Sequence, residues 1–184
     1  REVSEGVITV ERNGNKAVVV EVLCETDFVA KNEDFVNLAK SLAQKAATDG
    51  IEAMQAAAPD MISPVVQKVG ENIQLGKAFE ITGEVLGSYI HDGKSGAIVS
   101  LKGGDETLAK DIAMQITAMR PEYTTREDIP ADMIEKAKDL FKEEVDNSGK
   151  PEDIKAKMLE GKVNAYFKDL TLMDQPFFKN PDLT

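Results

Sequence analysis

Cys24 and His91 are the two side chains here whose types suit nucleophilic or general-base chemistry, and each occurs once in the 184 residues. A general base needs a partner and a pocket. His91 stands in a turn-forming His91-Asp92-Gly93 string, which promises neither, and reads as an exposed polar turn residue. Cys24 ends a β-branched run with no second Cys and no nearby His, so thiolate and zinc chemistry lack their partners. It reads better as a small buried hydrophobe. Carboxylates are abundant but scattered, so no paired acid–base site stands out. Lys102-Gly-Gly-Asp-Glu106 precedes a helix start, a place that holds phosphate in other proteins, yet Asp105 and Glu106 would repel it. Neither Gly-x-x-x-x-Gly-Lys-Ser/Thr nor Gly-x-Gly-x-x-Gly occurs. No cofactor, nucleotide pocket or metal is implied, and the residues point away from an enzyme.

The remaining chemistry is that of contact. At Cys24-Glu25-Thr26-Asp27-Phe28 a strand runs out and helix-type spacing begins. Strand-to-helix corners lie at the surface and carry function. Asp27 beside Phe28 has a plain explanation: Asp favours a helix start and Phe packs inward. Turned outward, the same Phe would be an interface anchor, because aromatic residues bury much area for little entropy loss.

Composition narrows the partner. A formal net charge of −11 argues against nucleic acid and anionic membranes as ligands and permits a protein partner. With 42% hydrophobic residues a packed core is available. One cysteine rules out an internal disulfide, as a reducing compartment allows. No apolar run is long enough to span a bilayer. Arg1-Glu-Val-Ser-Glu5 is charged and is followed by no signal-peptide core. The expectation is an intracellular protein, and the start without Met suggests a fragment.

The elements that must position the corner follow from periodicity. Val7 to Val10 and Lys16 to Leu23 are β-branched runs around Asn13-Gly14, a hairpin signal for a type I′ turn. Phe35, Leu38, Ala39, Leu42, Ala43 and Ala46 recur at helical steps until Asp49-Gly50. Glu52 to Ala58 forms a short helix broken by Pro59, and Ser63-Pro64 opens another that Gly70 closes. Ile73 to Ile81 is a strand or extended arm. Glu84 to Ile90 and Ala97 to Leu101 repeat the hairpin. Asp105 caps a helix with Leu108, Ile112, Ile116 and Met119 on its apolar face. Hairpin-then-helix thus occurs twice. After a linker, Pro121 to Pro130, come two striped helices joined by Asn147-Ser-Gly149. One carries Met133, Ile134, Ala137, Leu140, Phe141 and Val145; the other carries Ile154, Met158, Leu159, Val163 and Tyr166. They predict a projecting antiparallel helical hairpin. The fold class is α+β: two ββα-type subdomains with antiparallel sheets plus the hairpin. The expected divisions are 1–82, 83–130, 131–169 and a return segment 170–184, where Phe177 and Phe178 need a surface to dock on.

Glu21-Val-Leu-Cys-Glu-Thr-Asp-Phe-Val-Ala-Lys-Asn32 resembles a signature of the translation elongation factor Ts family. Val69-Gly-Glu-Asn-Ile73, Gly83-Glu-Val-Leu-Gly-Ser-Tyr89, Ile112-Ala-Met114, Lys150-Pro151, Lys157-Met-Leu-Glu-Gly161 and Gln175-Pro-Phe177 match in the family's order. The resemblance implies a two-part α+β core with an inserted helical hairpin. It implies guanine-nucleotide exchange on elongation factor Tu, through that protein's GTPase domain and a neighbouring domain. Phe28 would wedge into an apolar pocket near the nucleotide with Asp27 as its polar neighbour. Thr26, Val29, Met114 and Gln115 complete the partner-binding set it implies.

The chain departs from the family pattern at two points. Gln115 stands where the family often has His, so a His-dependent contact is lost. Lys77 alone remains where basic residues often follow the Glu71-Asn-Ile73 string. The family's small N-terminal domain is not in this sequence. Bacterial cytoplasm is the default location, although mitochondria and plastids use the family too. The alternative function is a scaffold or homodimerisation module acting through the helical hairpin.

Overall fold

The computed structural model describes residues 2–184; Arg1, where the first expected domain begins, lies outside the described residues. It shows an α+β protein, with helices beside two antiparallel sheets. The chain divides into two compact units, residues 2–118 and Met119–Thr184.

In the first unit, β1 (Glu5–Asn13) and β2 (Lys16–Cys24) form the expected hairpin. Asn13 pairs with Lys16, so the central turn residues are Gly14 and Asn15. Only Gly14 has positive φ, +61°. Positive φ at the first central position alone is the demand of a type II′ turn, which corrects the type I′ expectation. The second hairpin, β4 (Val85–His91) with β5 (Ser95–Leu101), supplies the I′ pattern instead. There Asp92 and Gly93 have φ of 51° and 70°, and the Lys94 N–H donates to the His91 carbonyl at 3.0 Å.

From Val18 onward strand β2 alternates. Val18, Val20, Val22 and Cys24 are buried, while Val19, Glu21 and Leu23 face the other side. Helix α2 (Glu33–Asp49) lays Phe35, Leu38, Ala39, Leu42, Ala43 and Ala46 into the same core. The small Ala residues allow close helix–sheet approach, and the larger Phe35 and Leu42 fill the space left over.

The next segment departs from expectation. Ile51–Val69 is one helix, α3, with Pro59 and Pro64 inside it. Both prolines are exposed, whereas Met54 and Ala58 are buried and Met61, Ile62, Val65, Val66 and Val69 pack against the core. Each proline removes one backbone hydrogen bond. It does so on the wet face, where water satisfies the freed carbonyl, and the continuous apolar stripe holds the helix together.

Strand β3 (Ile73–Thr82) then returns along β2, giving a sheet of order β1-β2-β3. The first half is therefore not a simple ββα unit. The register shifts between Val20 and Val22, with Val22 opposite Leu75 and Val20 opposite Ala78. At this bulge the Glu21 carboxylate accepts the Lys77 N–H at 3.0 Å. A Cβ on Gly76 would lie 2.4 Å from that carboxylate, so a larger residue there would make the Glu21 side chain shift.

The second sheet carries α4 (Glu106–Met119). Asp105 Oδ1 accepts the Leu108 N–H at 2.8 Å, the expected cap. Gly103 and Gly104, both at positive φ, make the strand-to-helix turn. The buried face is Ala109, Ala113 and Gln115, while Leu108 and Met119 are exposed. This corrects the predicted apolar stripe. At Ala109 the helix backbone lies too close to Gly87 of β4 for a large side chain, so an alanine faces inward there.

The second unit holds α5 (Ala131–Asp146) and α6 (Glu152–Leu170), the antiparallel hairpin. Its core is Ile129, Ala137, Val163 and Phe167, with Tyr123, Met133, Ile134, Phe141, Leu159 and Leu170 around it. Leu140, expected on the packed stripe, is 65% exposed, and Tyr166 is exposed too. Phe167, one position on, takes the buried place. The expected linker is structured. The Tyr123 N–H donates to the Leu170 carbonyl, the Leu172 N–H donates to the Tyr123 carbonyl, and Arg126 pairs with Asp174. Gln175 is buried, and its Nε2 donates to the Asp169 carbonyl at 2.6 Å.

Candidate functional site

The corner after β2 is one helical turn held between two caps. α1 (Asp27–Ala30) has four residues. Thr26 is its N-cap, with Oγ1 accepting the Val29 N–H at 3.4 Å. Asn32 caps α2 at once, with Oδ1 accepting the Asp34 and Phe35 N–H groups at 2.9 and 3.3 Å. A single turn cannot persist by itself, because helix nucleation is costly. Here tertiary contacts hold it.

Those contacts are of two kinds. Val29 and Ala30 are buried in the core of the first sheet. Opposite them, Glu71 grips the turn's start. One carboxylate oxygen accepts the Thr26 hydroxyl at 2.6 Å, and the other accepts the Glu25 and Thr26 N–H groups at 3.2 and 3.1 Å. Glu25 returns the grip, its Oε1 accepting the Asn72 N–H at 2.7 Å. Bonds to ionised carboxylates are the stronger kind. The local sequence explains the placement. Gly70 ends α3 at φ +74°, in the left-handed conformation that favours glycine. Glu71 and Asn72 follow directly, and Ile73 then pairs with Cys24.

Between these anchors the turn presents Asp27 and Phe28 outward. Phe28 is 82% exposed, whereas Val29, the next residue, is 8% exposed. Asp27 pairs with Lys31 at 3.2 Å on the surface, a contact of small energetic weight. Thr26, expected in the contact set, is engaged with Glu71, and Val29 points into the core. Met114 and Gln115 lie on a different element, α4. Met114 is half-buried and Gln115 is only 3% exposed, so its side chain is turned into the protein.

Cys24 is buried, and its Sγ donates to the Thr26 carbonyl at 3.2 Å. Burial, with the nearby Glu71 charge, pushes the thiol up to about 11. It is therefore a poor nucleophile near neutrality. His91 is exposed, with Nδ1 at 3.1 Å from the Tyr89 hydroxyl. Among the described residues no group of His, Cys, Asp and Glu is arranged to hold a metal ion, and no helix is long and apolar enough to cross a membrane.

Sequence reading did not single out Glu25 and Glu71. The signal was nonetheless present: the Val69–Ile73 string and the Glu21–Asn32 string meet in space at these two carboxylates.

The fold and site thus define an α+β protein with an exposed aromatic side chain on a braced corner. The family model described as elongation factor TS matches residues 25–184. Elongation factor Ts of Psychromonas ingrahamii is 40% identical over 100% of this chain and 66% of its own length. That of Alkalilimnicola ehrlichii is 39% identical over 98% and 66%, and that of Alcanivorax borkumensis 36% over 100% and 69%. The chain belongs to the elongation factor Ts family. It spans about two thirds of the length of the curated relatives it matches.

Proposed function

We propose that this chain binds translation elongation factor Tu and promotes release of its GDP, acting as a guanine-nucleotide exchange factor in the bacterial cytoplasm. Family membership supports the partner and the activity. The observation that supports the site is the 82% exposure of Phe28 on a turn anchored from both sides. A large aromatic side chain left in water is a cost unless a partner covers it. In this reading Phe28 enters an apolar pocket near the Mg²⁺ and nucleotide, with Asp27 as its polar neighbour. Thr26 and Val29 hold the turn that carries the pair. Met114 and Gln115 form a second region on α4, where Gln115 acts from a buried position.

The mechanism is coupling without covalent change. A protein that binds the nucleotide-free state more tightly than the GDP state lowers GDP affinity by the same factor. A coupling of a few kcal/mol corresponds to roughly a hundredfold or more. The test is release of a fluorescent GDP analogue from elongation factor Tu, with this chain and with Phe28→Ala. Acceleration that the substitution abolishes supports the reading; acceleration that survives it moves the site elsewhere.

The exposure of Leu140 and Tyr166 on the helical hairpin favours a second reading, self-association through residues 131–169. Light scattering on the chain and on Leu140→Glu tests it. A dimer that the substitution splits would support that reading.

A further inference from the structure

Phe28 is 82% exposed, so its direction is set by the backbone that carries it. That backbone belongs to a four-residue helix. Its inner side is fixed by Val29 and Ala30 in the core, which leaves the turn free to rock about that anchor unless its start is held as well. The start is held by Glu71, a side chain that arrives from 45 residues further along the chain. Glu71 spends both carboxylate oxygens on Glu25 and Thr26, and Glu25 binds back to the Asn72 N–H.

We propose that Glu71 is a positioning residue that sets the aim of Phe28, and that the reciprocal Glu25–Asn72 bond locks Glu71's own loop to the corner. The proposal rests on the exchange-factor reading for its consequence, though not for its geometry. Wedging asks a side chain to meet a pocket at one angle, and a misplacement of about 1 Å can cost a hundredfold in rate. The carboxylate suits the task because three donors converge on it, the two backbone N–H groups on one oxygen and the Thr26 hydroxyl on the other. Three variants separate this role from simple support of the fold. Glu71→Ala removes all the contacts. Glu71→Gln retains them, with its oxygen accepting the two backbone N–H groups and its amide nitrogen donating to the Thr26 hydroxyl. Phe28→Ala removes the group being aimed.

The experiment has two readouts. Fluorine NMR of the free chain, carrying fluorophenylalanine, reports the mobility of Phe28, whose signal is assigned by its loss in Phe28→Ala. Stopped-flow release of the GDP analogue from elongation factor Tu reports function. The expected result is a mobile ring and about tenfold slower exchange in Glu71→Ala, with Glu71→Gln within about threefold of the parent. In the Phe28→Ala background Glu71→Ala adds no further loss of exchange, since residues acting through one another are not additive. A folded Glu71→Ala whose Phe28 signal stays rigid overturns the proposal. So does a further exchange loss in the double variant. A ring that becomes mobile while Phe28→Ala leaves exchange unchanged would remove the wedge reading and leave the positioning geometry standing. Should Glu71→Ala fail to fold, Glu71→Asp draws the carboxylate back from Thr26 while leaving the α1 cap in place, and is read in the same two ways.

Discussion

Gly87 on β4 and Ala109 on α4 meet backbone to backbone: a Cβ on Gly87 would lie 2.3 Å from the Ala109 carbonyl carbon. No flexible side chain is available there to yield. The contact explains why α4 buries alanines and leaves Leu108 exposed. Gly87→Ala is expected to destabilise the protein by about 2–3 kcal/mol through overpacking. A denaturant midpoint unchanged from the parent would show that the helix can retreat freely.

Phe28 and Val29 adjoin in sequence but lie on opposite sides of the turn, and their substitutions should separate. Phe28→Ala changes stability by less than about 0.5 kcal/mol, as exposed positions do. Val29→Ala costs about 1–3 kcal/mol through its lost burial and the cavity left behind. Urea unfolding of the two variants checks this. A large loss in Phe28→Ala would mean the ring is packed in solution.

Pro59 and Pro64 sit on the exposed face of α3. Proline in a helix interior is disfavoured by about 3 kcal/mol relative to alanine. Part of this is offset because proline also restricts the unfolded chain. Each Pro→Ala change should therefore raise stability by about 1–2 kcal/mol. A decrease in either would mean that the shape the prolines impose is needed for packing on α2.

Cys24 makes stability depend on alkaline pH. Its folded thiol is raised from 9.0 to about 11, so between those values the unfolded chain is ionised while the folded chain keeps its proton. The unfolded state then binds fewer protons, and stability falls as pH rises. The contribution is fully present below about pH 9 and is lost by about pH 11, on the order of 2 kcal/mol. Cys24→Ala should flatten this slope in unfolding curves taken across that window. The same burial predicts slow modification of Cys24 by thiol reagents at neutral pH, checked by mass spectrometry.

The fold class and most of its elements were legible from local pattern. β2 declares itself through alternation, α2 through its helical stripe, and the hairpin of α5 and α6 through two amphipathic runs around Asn147-Ser-Gly149. Each is long enough for its period to show. The ordered motif strings likewise identified the family.

Tertiary structure decided the rest. Proline read locally breaks a helix, yet α3 runs through two of them because its other face is packed. Phe167 takes the buried place that periodicity assigned to Tyr166, and Leu140 is left exposed, since a stripe one residue wide cannot say which edge the neighbouring helix covers. A four-residue turn has no period at all, so only its surroundings could send Val29 inward and Phe28 out. The grip of Glu71 on Thr26 spans 45 residues of chain. Local propensity carries no record of so distant a partner. It arises only when β3 pairs with β2 and brings the end of α3 beside the corner.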